Sequence, residues 1–166
     1  KMANKKQPWA FYSKEELLHF LEKHRQILDK NEQKWIEKIF ELKEGSALEK
    51  GISGEKMAII HSNDLLTPLI IDDLFKTKQN IFPVMDSEET SVKGVIFLED
   101  ITKIDSSDSK KAQKVMREDF FSLKSDISAL DAFEKMISKD KNYAILLEKN
   151  GDLAGIVNLT DFIRKK

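Results

Sequence analysis

The chain has 166 residues, 40% of them apolar and 34% charged, which suits a folded globular protein rather than a disordered or membrane-embedded one. Its 28 basic and 29 acidic residues leave a net charge of −1, so no basic excess points to nucleic acid or anionic lipid. The absence of cysteine removes disulfides, iron–sulfur clusters and thiolate zinc sites, and fits a reducing compartment with the cytoplasm as default.

No run approaches the roughly 18 to 20 apolar residues of a membrane-spanning helix, and the opening Lys1-Met2-Ala3-Asn4-Lys5-Lys6 lacks the apolar core of a signal peptide. Ser13-Lys14-Glu15-Glu16 reads as a capping box, with Ser13 accepting from the amide of Glu16 and Glu16 reaching back. Leu17, Leu18 and Leu21 then recur at helical spacing, which predicts a first helix of about three turns. A second start at Asn31-Glu32 leads into the apolar stripe Trp35, Ile36, Ile39 and Phe40 and ends near Gly45.

From Ser46 onward, short apolar runs alternate with turn residues and single helical segments, and the pattern repeats. Asn80-Ile81-Phe82-Pro83-Val84-Met85 and Gly94-Val95-Ile96-Phe97-Leu98-Glu99-Asp100-Ile101 recur about 61 residues later. Their partners are Lys141-Asn142-Tyr143-Ala144-Ile145-Leu146 and Gly155-Ile156-Val157-Asn158-Leu159-Thr160-Asp161-Phe162. Upstream, Ile59-Ile60-His61-Ser62-Asn63-Asp64-Leu65 matches Phe121-Ser122-Leu123-Lys124-Ser125-Asp126-Ile127 at an offset of 62. Each copy reads strand, helix, strand, strand, short helix, with Asn63 or Ser125 placed to cap the first helix. Asn150-Gly151 forms a hairpin turn, and residues 86–93 make a longer, more polar version of it. The expected architecture is α/β (α+β): a helical lead-in at 1–45, a first repeat at 46–105 and a second at 106–166.

A duplicated β-α-β-β-α unit whose copies end in Gly-apolar-apolar-x-x-x-Asp resembles a CBS (cystathionine-β-synthase-type) pair, or Bateman module. The match is fullest in the second copy, through Val115-Met116, Asp126-Ile127-Ser128-Ala129-Leu130, Met136, Tyr143-Ala144-Ile145-Leu146 and the closing motif at Asp161. The lead-in, Tyr12-Ser13-Lys14-Glu15-Glu16-Leu17 and then residues 29–42, looks like the segment joining a membrane domain to the CBS pair in the CorC, hemolysin-C-like and cyclin-M family of magnesium and cobalt efflux proteins. There are departures. Ile52-Ser53-Gly54-Glu55 stands where that family has Met-Thr-Pro-Arg, and Asn80-Ile81-Phe82-Pro83-Val84 lacks the arginine of its Ser-Arg-x-Pro-Val strand.

The resemblance implies an adenine nucleotide (ATP, ADP or AMP, with magnesium on its phosphates) as regulatory ligand. It also implies a homodimer through the repeats and an attached membrane transport domain. The closing Asp accepts from both ribose hydroxyls in such pairs, and a preceding Thr or Ser contacts phosphate. Asp161 and Asn158 hold these positions in copy two, with the helix terminus at Asp161 offering further amides to an anion. Ile59, Ala144 and Ile156 are candidates to sandwich the adenine, and Ser53 is the counterpart of the family's threonine. In copy one Asp100 is present, but Phe97 occupies the hydroxyl position, so an empty or adapted half-site is expected there.

Each feature also has a plainer reading: Asp161 as a helix cap, Phe97, Tyr143 and Ile156 as core, and Arg117 as a solvated or ion-paired side chain rather than a phosphate ligand. Asp105-Ser106-Ser107-Asp108-Ser109 lacks the spacing of a calcium loop and reads as the linker between copies. His19, His24 and His61 lack zinc-ligand spacing, so no metal is assigned. There is no phosphate-binding loop and no His-Glu-x-x-His, and Gly51-Ile52-Ser53-Gly54 is one residue short of a nucleophile elbow. A non-catalytic module is expected: a nucleotide sensor, or alternatively a ligand-free dimerisation module using Leu65, Leu69, Ala132, Phe133 and Met136.

Overall fold

The computed structural model describes residues 12–24, 27–103 and 110–164, so the Asp105-to-Ser109 run lies outside the described residues. The chain divides into two units, residues 1–41 and residues 42–166.

In the first unit, α1 (Lys14–Lys23) starts as its capping signal predicts. Ser13 Oγ accepts from the amide of Glu16 at 3.2 Å, while Glu16 reaches past Ser13 to the amide of Tyr12 at 2.9 Å. Helix α2 (Lys30–Glu44) begins earlier than Asn31 because Asp29 caps it: Asp29 Oδ1 accepts from Glu32 at 3.0 Å, and Glu32 accepts from the Asp29 amide at 2.7 Å. The Gln33 amide nitrogen donates to the carbonyls of Leu21 and Leu28, and the Lys14 ammonium lies 5.2 Å from the Phe40 ring centroid. Trp35 and Ile39 are exposed.

The second unit opens with α3 (Ala47–Lys50), held by a Ser46–Glu49 capping box, and β1 (Ile52–Ser53). Two matching series follow: β2 (Ile60–His61), α4 (Pro68–Lys76), β3 (Ile81–Met85), β4 (Val92–Phe97) and α5 (Leu98–Ile101); then β5 (Ser122–Lys124), α6 (Ala129–Ser138), β6 (Tyr143–Leu147), β7 (Leu153–Asn158) and a 3-10 turn at Leu159–Phe162. The expected order of elements is present in both copies.

The caps differ from expectation. Thr67 and Ser128 cap α4 and α6, each accepting from the amide three residues on, in place of Asn63 and Ser125. Pro68 suits a first helical position, which puts the cap at Thr67, and Asn63 instead donates to Ser87 Oγ at 2.8 Å. The Asn150-Gly151 hairpin forms as expected, with Gly151 at φ 94.

The sheets run β2-β3-β4 and β1-β7-β6-β5. In each, the first strand of the copy is parallel to the second and the second is antiparallel to the third. Ile81 pairs with Phe97 and Tyr143 with Asn158, so Ile81 corresponds to Tyr143 at an offset of 62, against the expected 61. The slip lies in the hairpin: Met85 pairs with Val92 but Leu147 with Leu153, so the first copy's connection is one residue longer.

The two copies exchange their leading segments. Ahead of copy one, Ala47 donates to the Ile127 carbonyl, Ala129 donates to Gly45, and Ile52 pairs with Ile156 in the other copy's sheet. Ahead of copy two, Ala112 donates to Asp64, Leu66 donates to Lys110, and Arg117 exchanges two backbone hydrogen bonds with Val95 at 2.8 and 3.0 Å. A Cβ on Gly155 would meet the Ile52 carbonyl oxygen at 2.6 Å, and one on Gly94 would meet that of Arg117 at 2.6 Å. The glycine that begins each closing motif is therefore required by the backbone crossing it.

Period-two alternation divides the core. Ala144, Leu146 and Val157 face α6 with Met136 and Phe162; Phe82, Val84 and Ile96 lie with Leu74 and Ile101. Between the copies, Val95, Ile145 and Ile156 form a third cluster with Ile52, Ile59, Phe97 and Tyr143 packed against it. Gln79, a buried polar side chain, is satisfied by the amide and carbonyl of Ala58 and the carbonyl of Ile81, which anchors the chain entering β2.

Candidate functional site: two unequal half-sites between the copies

The third cluster places the end of one copy's last strand beside the other copy's leading segment, and this happens twice. Residues 156, 158 and 161 correspond to 95, 97 and 100 at an offset of 61, and the crossing residues are Ile52 and Arg117. The second-copy half-site thus holds Ile52, Ile156, Asn158 and Asp161, with Ile59 in the same apolar cluster. The first-copy half-site holds Arg117, Val95, Phe97 and Asp100.

At the second half-site, β1 brings Ile52 opposite Ile156 and Ser53 opposite Gly155. Ile52 therefore shares the face of Ile156, while Ser53, against the expectation of it as a site residue, falls on the other face of the sheet. Asp161 Oδ2 accepts from the Asn158 amide at 2.8 Å and from Asn158 Nδ2 at 3.2 Å. The carboxylate therefore caps the Leu159–Phe162 turn through one oxygen, and both of its described bonds fall on Oδ2, leaving Oδ1 as the acceptor for a further donor. Capping and ligand contact are compatible here.

Ala144 does not join this group. It is fully buried on the opposite face of β6, packed with Met136 and Phe162 under α6, while its neighbours Tyr143 and Ile145 face the other copy. Alternation along a strand decides this, because a residue paired with Val157 cannot share the face of Ile156.

At the first half-site, Arg117 donates to Asp100 Oδ2 from Nε at 3.0 Å and from Nη2 at 2.6 Å, with Glu99 Oε1 at 3.5 Å from Nη2. Its guanidinium carbon lies 4.3 Å from the Phe97 ring centroid, and Phe97 meets Tyr143 edge to face at 5.4 Å. Lys103 adds a contact to Asp100 Oδ1 at 3.5 Å. Burial pushes the Tyr143 phenol above its usual range. Arg117 is ion-paired, as its plainer reading has it, and the pairing falls on Asp100, the first copy's candidate ribose ligand. The sequence shows that arginine and that aspartate without showing that they meet.

Two hollows of about 430 and 420 Å³ lie elsewhere, the first against Leu123, Ile127 and Lys135 and the second against Ser125, Lys149 and Asn150. Their walls carry surface lysines and carboxylates and none of the half-site residues, so volume alone does not make them the site. Among the described residues no group of three His, Asp or Glu side chains is placed to hold a metal ion, and no helix is long and apolar enough to cross a membrane.

Residues 112–166 match the family model of the CBS domain. The whole fold is shared with solved CBS-domain structures. One is the CBS domain of a bacterial CNNM/CorC family Mg2+ transporter, at 20% identity and a TM-score of 0.70, covering 92% of this chain and 94% of that one. A hemolysin-like protein containing a CBS domain, from Oenococcus oeni PSU, aligns at 20% identity and a TM-score of 0.64 over 76% of this chain and 93% of its own. A complex of the CNNM/CorC family CBS domain with ATP aligns at 19% identity and a TM-score of 0.63 over 77% and 91%. No match was found among curated protein sequences. The fold is that of tandem CBS repeats behind a helical lead-in.

Proposed function

We propose that this chain is a non-catalytic regulatory CBS pair that binds an adenine nucleotide at the Asp161 half-site and passes that state to an attached ion-transporting membrane domain. The observation that carries the reading is the meeting of Ile52 and Ile156 through the β1–β7 pairing, which sets an apolar wall from both ends of the unit beside the Asn158–Asp161 turn and its second carboxylate oxygen. Ile52 and Ile59, backed by the buried Ile156, would bracket the base, Asp161 Oδ1 would take the ribose, and Asn158 would face the phosphates with magnesium neutralising their charge. Such a ligand shifts the pair only by its differential affinity for two arrangements. The ATP complex of a CBS domain with the same fold supports the ligand class, and the CorC-like lead-in supports the transporter context.

Calorimetric titration with ATP, ADP and AMP, with and without magnesium, tests it. Heat of binding that disappears in Asp161→Ala is expected. No heat and no thermal shift at millimolar ligand would sink the sensor reading.

One observation favours ligand-free dimerisation as the second reading: Leu65 and Leu69 are exposed. The opposite set in copy two is spent within the chain, since Ala132 and Met136 are fully buried and Phe133 packs on Phe162. Sedimentation decides: a dimer indifferent to nucleotide supports this reading, and a monomer at high concentration removes it.

A further inference from the structure

We propose that Arg117 is a built-in occupant of the Asp100 half-site, so that the pair offers a ribose-bearing ligand one open half-site and one closed by its own chain. The inference rests on the nucleotide-binding reading for what the ligand is, but not for the closure. A nucleoside would present two donors to the Asp100 carboxylate and a flat ring to a wall of the cleft. Arg117 makes both kinds of contact already: two N–H donors converge on Asp100 Oδ2 at 3.0 and 2.6 Å, and the planar guanidinium lies 4.3 Å from the Phe97 ring. The Asp100 side chain is only 19% exposed beneath it.

The arginine is also held in place from behind. Its amide and carbonyl are both bonded to Val95, so the side chain projects over Phe97 from a fixed backbone. At the matching position of the other half-site stands Ile52, which has no donor to offer Asp161. The asymmetry between half-sites therefore comes from the two crossing residues as much as from Phe97 and Asn158. A ligand entering at Asp100 must break an ion pair and a cation–π contact together, and then lies beside the Glu99 carboxylate, whose charge opposes a phosphate. An opened first half-site accordingly favours the uncharged nucleoside over its phosphates.

The test is equilibrium dialysis of adenosine, AMP and magnesium ATP against the wild-type chain and the variants Asp161→Asn, Arg117→Ala, Arg117→Gln and Arg117→Ala/Asp161→Asn. Because the Val95 bonds are made by backbone atoms, Arg117→Ala is expected to melt cooperatively, and Arg117→Gln decides if it does not. The expected result is one additional equivalent of adenosine bound by Arg117→Ala. The double variant keeps that equivalent, with affinity at least about tenfold above that of Asp161→Asn, the scale of one exposed ion pair with one cation–π contact. Binding by Asp161→Asn that is lost on adding Asp100→Asn would show the half-site open and overturn the inference. Folded Arg117 variants that gain no adenosine site overturn it equally. Failure of the sensor reading is distinguishable: the wild-type chain then binds nothing, while Arg117→Ala still gains a site.

Discussion

The two repeats share a backbone and differ in where they place bulk and charge. In copy one the strand contributes Phe82 and the closing helix Ile101; at the corresponding positions of copy two stand Ala144 and Phe162, all four essentially fully buried. The aromatic ring has moved from strand to helix, and each core is filled. The half-sites diverge in the same way, with Arg117, Phe97 and Asp100 closed on one another in copy one and Ile52, Asn158 and Asp161 in copy two. Duplicated backbones constrain the sum of volumes and charges at a layer, and leave open which strand or helix supplies them.

Core substitutions break this comparison most severely. Phe82→Ala should cost about 3–5 kcal/mol in denaturant unfolding, because the small partner Ile101 cannot fill the cavity, whereas alanine is already the native residue at the matching position 144. Next come the crossing glycines: Gly94→Ala and Gly155→Ala should each cost about 1–3 kcal/mol, since the added methyl meets a backbone carbonyl that cannot step aside. Equal losses at both would confirm that the exchange of leading segments is symmetric, and a neutral result at either would break that symmetry.

At the half-sites the contrast lies in binding. Asp161→Ala should weaken nucleotide binding by roughly tenfold or more, the scale of a hydrogen bond to a charged group, whereas Asp100→Asn should leave it unchanged by calorimetry.

The smallest effect is a pH dependence confined to copy one. The His61 ring meets Glu89 Oε1 at 2.8 Å from Nε2 and Asp64 Oδ2 at 3.3 Å from Nδ1, and the bond to Glu89 leads the causes that raise its pKa above 6.5. The folded state therefore holds the proton more tightly than the unfolded one. The stabilisation is complete below the unfolded pKa and is lost as pH rises through the folded value. Melting curves recorded upward from pH 6 should show a small fall in the wild-type chain that is absent in His61→Asn; identical slopes would remove His61 as the cause.

Much of the fold is legible along the chain because duplication repeats local signals. The capping residues, the Asn150-Gly151 turn and the paired closing motifs each report a local conformation, and local conformation is what periodicity and turn chemistry encode. Errors arise where the local signal is ambiguous. Both Asn63 and Thr67 are able to cap a helix, and only the position of Pro68 and the turn at His61 to Asp64 select Thr67. The face of Ala144 depends on the register of β6 with β7, which pairs it with Val157, and no local signal in the strand reports that register.

By itself the sequence determined the two β-α-β-β-α series, the glycine that opens each closing motif, and the presence of Asp100 and Asp161 at matched positions, because these follow from spacing. Only the tertiary structure decided that each copy's leading segment crosses to the other copy's sheet, that Ser53 meets Gly155 and that Arg117 lies over Phe97 against Asp100. These are contacts between segments tens of residues apart, set by sheet register and the packing of the shared apolar cluster, and no local propensity encodes them.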